Sequence, residues 1–159
     1  MRLMKCELNP RLSSDDWKEF CSRFHFPLEE LPNIQAIYKA LLPLMESYAY
    51  YSMDQDLEEV SFSHYVYGFV TLGNGMDELS ELYLNHEQIQ EAYIVDCISL
   101  MILSKAYEEF AHVVEEQSGL YLTELSFLGD TYSLDLLPQI YEHLAPDTIQ
   151  LTEGQMLRP

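Results

Sequence analysis

The stretch that decides the fold spans residues 86–117 and reads HEQIQEAYIVDCISLMILSKAYEEFAHVVEEQ. Apolar residues recur in it at spacings of three and four, which is the pattern of an amphipathic helix. Over residues 92–103 nearly every helical face is apolar, so the sequence predicts a helix that is buried on several sides. Ser118 and Gly119 are expected to end this helix.

Shorter elements are predicted on both sides of this helix. Ser14 is expected to cap a first helix, and an apolar stripe over residues 34–45 predicts a second helix that Pro43 kinks or shortens. Residues 60–72 are rich in β-branched and aromatic side chains and predict a strand that ends at Gly73. The remaining predictions are a helix over 76–84, a strand over 120–126, a helix from Ser133 or Asp135 to about residue 144, and a short strand over 149–151.

The irregular mixture of strands and helices predicts an α+β protein. We expect a single domain over residues 1–159, with a mostly antiparallel sheet packed by helices. Residues 1–60 are predicted to form a helical N-terminal part, assigned from their apolar pattern alone.

Composition limits the possible partners. The chain has 8 basic and 27 acidic residues and a net charge of −19, so its field repels nucleic-acid backbones and anionic membranes. We therefore expect neither nucleic acid nor a membrane as partner. The three cysteines show no CxxC spacing, no signal-peptide pattern opens the chain, and the longest apolar run is too short to cross a bilayer. These features predict a cytoplasmic protein.

No pattern of catalytic or metal-ligating residues stands out. The chain has no GxSxG, P-loop or complete dinucleotide-binding motif, so we expect no independent catalytic residues. The histidines are scattered without an HExxH or HxH pair, so the sequence predicts no metal site. They are His25, His64, His86, His112 and His143.

Three segments in a fixed order carry a resemblance to a known family. They are FVTLG at residues 69–73, the apolar helix around Asp96, and the tail IQLTEGQMLRP at residues 149–159, with the loop 126–130 before the tail. In this order the chain resembles the activation domain of cobalamin-dependent methionine synthase, and most of all its small stand-alone relatives. The resemblance covers residues 66–159.

The resemblance implies where a ligand would bind. Thr71 and Asp96 match the family's Thr-Leu-Gly strand end and the acid near the start of its long helix. The family loop for S-adenosylmethionine reads roughly Arg-x-x-Pro-Gly-Tyr, and its Arg holds the methionine carboxylate. Here the segment 124–130 reads ELSFLGD, with Glu124 at the Arg position. Because a carboxylate repels a carboxylate, Glu124 cannot take the role of that arginine. The loop matches that remain are Ser126, Gly129 and Asp130.

Asp96 has two alternative interpretations. It lies within the most apolar part of the predicted helix, where an unpaired charge would be costly. It is therefore expected to be either a satisfied buried polar group or a residue that lines a pocket.

The function implied by the resemblance is an accessory one. The family domain presents S-adenosylmethionine to cobalamin, which does the chemistry. This chain lacks a cobalamin-binding Asp-x-His-x-x-Gly motif, so cobalamin would come on a separate corrinoid protein or methionine synthase. The alternatives are a non-catalytic binding module that has lost S-adenosylmethionine, and a structural domain without a small-molecule site.

Overall fold

The computed structural model of the protein describes residues 3–58, 60, 64–154 and 156–159. These residues contain helices and antiparallel strands, with short 3-10 turns beside α2 and before α5. The predicted α+β class is thereby confirmed. The elements in chain order are β1 (Met4–Glu7), α1 (Ser14–Phe24), α2 (Leu31–Leu41), β2 (Tyr48–Ser52), β3 (Tyr67–Thr71), α3 (Gly75–Asn85), α4 (Ile89–Ser118), α5 (Leu137–Leu144), β4 (Gln150–Leu151) and β5 (Leu157–Arg158).

The chain divides into two compact units. The sheet unit comprises Met1–Leu8, Tyr48–Thr71 and Phe110–Pro159, and the helical unit comprises Asn9–Ser47 and Leu72–Glu109. Each unit is assembled from segments that are distant in the sequence, so each depends on long-range packing.

A three-stranded antiparallel sheet forms the centre of the sheet unit. Its strand order is β1-β2-β3, with Cys6 opposite Ala49 and Tyr50 opposite Phe69. The rings of Tyr50 and Phe69 share an apolar cluster with Leu137, Ile140 and Leu144 of α5. The sheet is thus packed by a helix on its aromatic face, as the sequence predicted.

The helical description of residues 1–60 requires a correction. Besides α1 and α2, this part contributes β1 and β2, two of the three strands of the sheet. β1 has only four residues, and the register joins Met4 to Tyr51 across more than forty residues of chain. Local periodicity carries no information about such a pairing. The strand predicted over 60–72 is present as Tyr67–Thr71, and its residues 61–63 lie outside the described part of the chain.

The helical unit packs α1, α2, α3 and the first part of α4 around one apolar cluster. Phe20, Ile34, Leu41, Ile94 and Ile98 are fully buried in it. The cluster explains why all four helices form, since each contributes residues at helical spacing to a shared interior. The predicted shortening of the second helix is also confirmed, because α2 ends at Leu41 and gives way to a 3-10 turn that contains Pro43.

α4 is less enclosed than its composition predicts. Its buried face is apolar, but Tyr93, Asp96 and Leu100 lie on an exposed stripe of the same helix. Apolar side chains are common on protein surfaces, so an apolar sequence does not by itself place every face in the core.

Candidate functional site

The loop predicted to bind a ligand is a tight turn in the sheet unit. Gly129 N–H donates to the carbonyl of Tyr132 at 2.7 Å, and Asp130 N–H donates to the carbonyl of Phe127 at 3.2 Å. Gly129 has φ +92°, a conformation that favours glycine. Leu128 and Tyr132 pack against the apolar cluster under the sheet and hold the turn in place. The turn therefore uses its own backbone donors internally.

Glu124, at the position where the resemblance would expect an arginine, has a partner within the loop. The Ser126 hydroxyl donates to Glu124 Oε1 at 2.9 Å, and Glu124 is exposed. An acid with an acceptor oxygen at this position offers no donor to the carboxylate of an amino acid. The loop thus presents a negative charge where the resemblance would expect a positive one.

The five predicted ligand-binding residues are divided between the two units. Ser126, Gly129 and Asp130 share the loop, whereas Thr71 ends β3 opposite Tyr48 and is nearly buried. Thr71 therefore presents little surface to a ligand. Asp96 belongs to the helical unit.

The first interpretation of Asp96, a satisfied buried polar group, is wrong. Its carboxylate is exposed rather than buried, and it accepts a long hydrogen bond of 3.4 Å from the Ser80 hydroxyl. Because the exposed stripe of α4 passes through this position, water solvates the charge, and no buried partner is needed.

The segment before the loop, residues 120–127, differs from the predicted strand. Residues 121–127 form neither helix nor strand. The N–H of Leu122 instead donates to the Glu115 side chain at 3.1 Å. Sequence preference for β structure needs a neighbouring strand to be realised, and this segment has none in the described residues. Its large apolar side chains consequently face solvent; they are Leu120, Tyr121, Leu122, Leu125 and Phe127.

A cluster that sequence reasoning missed joins a tyrosine, an aspartate and a histidine in the sheet unit. The Tyr67 hydroxyl donates to Asp56 Oδ2 at 3.0 Å, and His143 Nδ1 lies 3.2 Å from the same oxygen. The third contact, between the Tyr67 hydroxyl and His143 Nδ1, measures 3.5 Å. Burial raises the pKa of Tyr67 to about 12, and the hydrogen bond to Asp56 adds to the effect. Tyr67 is therefore a neutral donor at physiological pH.

The loop that carries Asp56 is fastened to residues beside β3. Leu57 N–H donates to the Tyr65 hydroxyl at 2.5 Å, and Gln55 Nε2 donates to the Tyr65 carbonyl at 2.9 Å. These bonds hold the Asp56 carboxylate in front of Tyr67. The sequence signal was the group of tyrosines around the acids at 54–58, but His143 lies 87 residues from Asp56, and no local pattern links them.

A second polar cluster ties β1 and β2 to the chain after α5. Lys5 Nζ lies 3.2 Å from Asp147 Oδ1 and 4.3 Å from the centre of the Tyr48 ring. The Tyr50 hydroxyl bonds to Asp147 and lies 2.6 Å from Thr148 Oγ1. The bonds from Tyr50 and Lys5 lower the pKa of Asp147. Because each of these groups is paired, we interpret the cluster as structural: it links β1 and β2 to the chain after α5.

Comparison with known proteins leaves the family open, since neither a protein-family model nor a curated protein matches the chain. Within the described residues, no three His, Cys, Asp or Glu side chains form a group suited to a metal. None of the helices in that part of the chain is long and apolar enough to cross a membrane.

Proposed function

We propose that the chain is a non-catalytic interaction module, a diverged stand-alone homologue of the activation domain of methionine synthase. It works in the cytoplasm beside a separate corrinoid protein or methionine synthase, which supplies the cobalamin. The observation that carries the proposal is the exposed apolar segment at residues 120–127, at the place where the resemblance puts the approach to the ligand loop.

The exposed segment has the properties of a docking surface. Tyr121 is 89% exposed and Leu125 is 60% exposed. Burying a large apolar side chain contributes about 1.5–3 kcal/mol, so a few such side chains provide useful affinity for a partner. An irregular backbone, which has no strand neighbour in the described part of the chain, can also adapt to a protein surface.

The loop itself supports docking over S-adenosylmethionine binding. The N–H groups of Gly129 and Asp130 already donate hydrogen bonds within the turn. Glu124 stands in place of the arginine that would bind the methionine carboxylate. A ligand with a carboxylate end would meet the negative charge of Glu124 at the place where the resemblance would expect an arginine. Loss of the ligand with retention of a surface is therefore the simplest outcome of these changes.

One observation favours a second candidate, an activator that retains S-adenosylmethionine. Gly129 has a positive φ and lies one residue after the position where the resemblance places the family's glycine, so a one-residue deletion in the loop would align the two. A ligand that contacts the turn through its adenosyl and sulfonium groups could tolerate Glu124, whose charge attracts a cation.

Two titrations separate these candidates. Calorimetry with S-adenosylmethionine at low salt should give no heat for the first, and micromolar binding that Asp130→Ala abolishes for the second. Calorimetry with a purified cobalamin-loaded methionine synthase that lacks its own activation domain should show binding. The double variant Tyr121→Ser with Leu125→Ser should weaken that binding about tenfold or more per side chain removed.

Leu84→Ser is the matched control for this experiment, because Leu84 is an exposed leucine of the helical unit. It should leave the affinity unchanged. Equal binding by the double variant and the parent chain would refute docking through residues 120–127.

A further inference from the structure

Three ligating atoms of the sheet unit form a nearly regular triangle. Asp56 Oδ2, Tyr67 Oη and His143 Nδ1 are separated by 3.0, 3.2 and 3.5 Å. Two hydrogen bonds to Asp56 require only two of these contacts. The third contact, between the phenol oxygen and the imidazole nitrogen, brings these two atoms close enough for one ion to lie within reach of all three.

The size of this triangle fits a transition-metal ion. Protein nitrogen and oxygen ligands lie about 2.0–2.2 Å from such an ion, so two ligands of one ion are roughly 3 Å apart. The circle through the three atoms has a radius of about 1.9 Å. An ion about 2.1 Å from each atom would therefore lie only about 0.9 Å out of their plane, with the three distances unchanged.

The surroundings of the triangle suit a cation that reaches it from solvent. The side chains of His143 and Asp56 are 28% and 34% exposed, whereas Tyr67 is buried and forms the inner side of the site. Asp54 lies near enough to act on the Tyr67 phenol electrostatically and adds negative charge. The hydrogen bonds to Tyr65 described above hold the Asp56 loop, so the ligands are already in position.

We propose that Asp56, Tyr67 and His143 form a binding site for ferric iron. Imidazole and tyrosine are both established iron ligands, and the set contains no thiolate that would favour a softer ion. Three protein ligands leave positions for water on the solvent side. This site lies outside the docking segment, so the inference stands whether or not the proposed docking does.

The proton balance of binding is simple. Iron in the ferric state replaces the phenol proton of Tyr67, which leaves to solvent. His143 binds as the neutral tautomer that carries its proton on Nε2, so that the Nδ1 lone pair is available to the ion. No electron is transferred, and the carboxylate of Asp56 binds as it stands.

Titration of the whole chain with ferric nitrilotriacetate tests the proposal. Binding should produce a visible phenolate-to-iron absorption band that saturates at one ion per chain. Tyr67→Phe should abolish the band, and His143→Gln should weaken iron binding about tenfold or more. Tyr121→Phe is the matched control because its phenol is almost fully exposed, and it should leave the band unchanged.

Far-UV circular dichroism shows whether each variant is folded. If Tyr67→Phe does not fold, His143→Gln replaces it in the test, because His143 is partly exposed and its substitution disturbs the core less. Absence of the band in the parent chain would show that the three groups form a hydrogen-bonded cluster only. A band that survives Tyr67→Phe, or an affinity unaffected by His143→Gln, would equally overturn the proposal.

Discussion

The first turn of α1 makes a specific prediction about stability. Asp16 is 6% exposed, and its carboxylate accepts the Ser13 N–H at 2.6 Å and the Ser13 hydroxyl at 2.9 Å. Its other oxygen lies 3.1 Å from Lys105 Nζ on α4. Asp16→Ala removes a helix cap and a partly buried ion pair at once. We expect it to lower the free energy of unfolding by about 2–4 kcal/mol.

The magnitude follows from the two parts of the interaction. Loss of a capping interaction costs about 1 kcal/mol, and loss of hydrogen bonds to a charged group costs about 1.5–3 kcal/mol. Lys105 is 30% exposed and regains some water, so the total should stay below the full cost of breaking a buried pair. Asp15→Ala, in the same helical turn but exposed, should cost no more than about 0.5 kcal/mol.

Urea unfolding followed by tryptophan fluorescence measures this effect directly. Trp17 is the only tryptophan, and it packs beside Phe20 and Tyr38 in the core of the helical unit. A double-mutant cycle with Lys105→Met should give a coupling energy of about 1 kcal/mol. Equal costs for Asp15→Ala and Asp16→Ala, or a coupling energy of zero, would refute the assignment.

The same residue predicts a pH dependence. Burial works to raise the pKa of Asp16, but the bonds from Ser13 and Lys105 outweigh it, and the pKa is lowered from 3.8. A lowered folded-state pKa means that the stabilisation is complete above pH 3.8 and is lost as the pH falls through the folded-state value. The stability difference between the parent chain and Asp16→Asn should therefore be constant near neutrality and shrink only in acid. A difference that is unchanged in strong acid would contradict this sign.

Three further predictions concern packing, thiol reactivity and charge. Gly75→Ala should destabilise the protein by about 2 kcal/mol or more in thermal unfolding, because its Cβ would lie 2.3 Å from the Leu44 carbonyl oxygen. Gly154→Ala is the control, because its Cβ would meet only Thr152 Oγ1 at an ordinary contact distance of 3.9 Å, and equal melting temperatures would contradict the close approach at Gly75. Thiol titration should find Cys6 reactive and Cys21 and Cys97 slow, since burial raises the pKa of both buried thiols. If Cys6→Ser leaves the fast phase intact, this assignment fails. Sodium chloride should raise the melting temperature, because screening weakens the repulsion of 19 excess negative charges; a fall would refute it.

Much of the helical unit could be predicted from the sequence because its signals are local. α1, α3 and α4 have apolar residues at helical spacing and recognisable ends, and each was placed within a few residues. The N-cap is Ser13 rather than the predicted Ser14. A shift of one residue is expected, since both serines offer the same capping chemistry.

The sheet and the tyrosine cluster depend on contacts that no local pattern records. β1 was missed because it is short, and β2 because its run of buried residues does not alternate between two faces. The strand predicted over 120–126 is wrong for the opposite reason, since its residues favour β structure but no strand of the described residues lies beside them. In each case the deciding interaction lies many residues away.

Charge and apolar exposure have separate roles in the proposed docking. Between Lys105 and Arg158 the chain has ten acidic residues and no lysine or arginine, and the exposed segment at 120–127 lies within this stretch. Such a field accelerates encounter with a basic surface, and salt weakens it, so the association rate should fall as salt rises. Short-range apolar contacts instead set the lifetime of a complex. Leu125→Ser should therefore raise the dissociation rate of the cobalamin-loaded partner and leave the salt dependence of association unchanged. A variant that alters only association would mean that Leu125 is not buried in the complex.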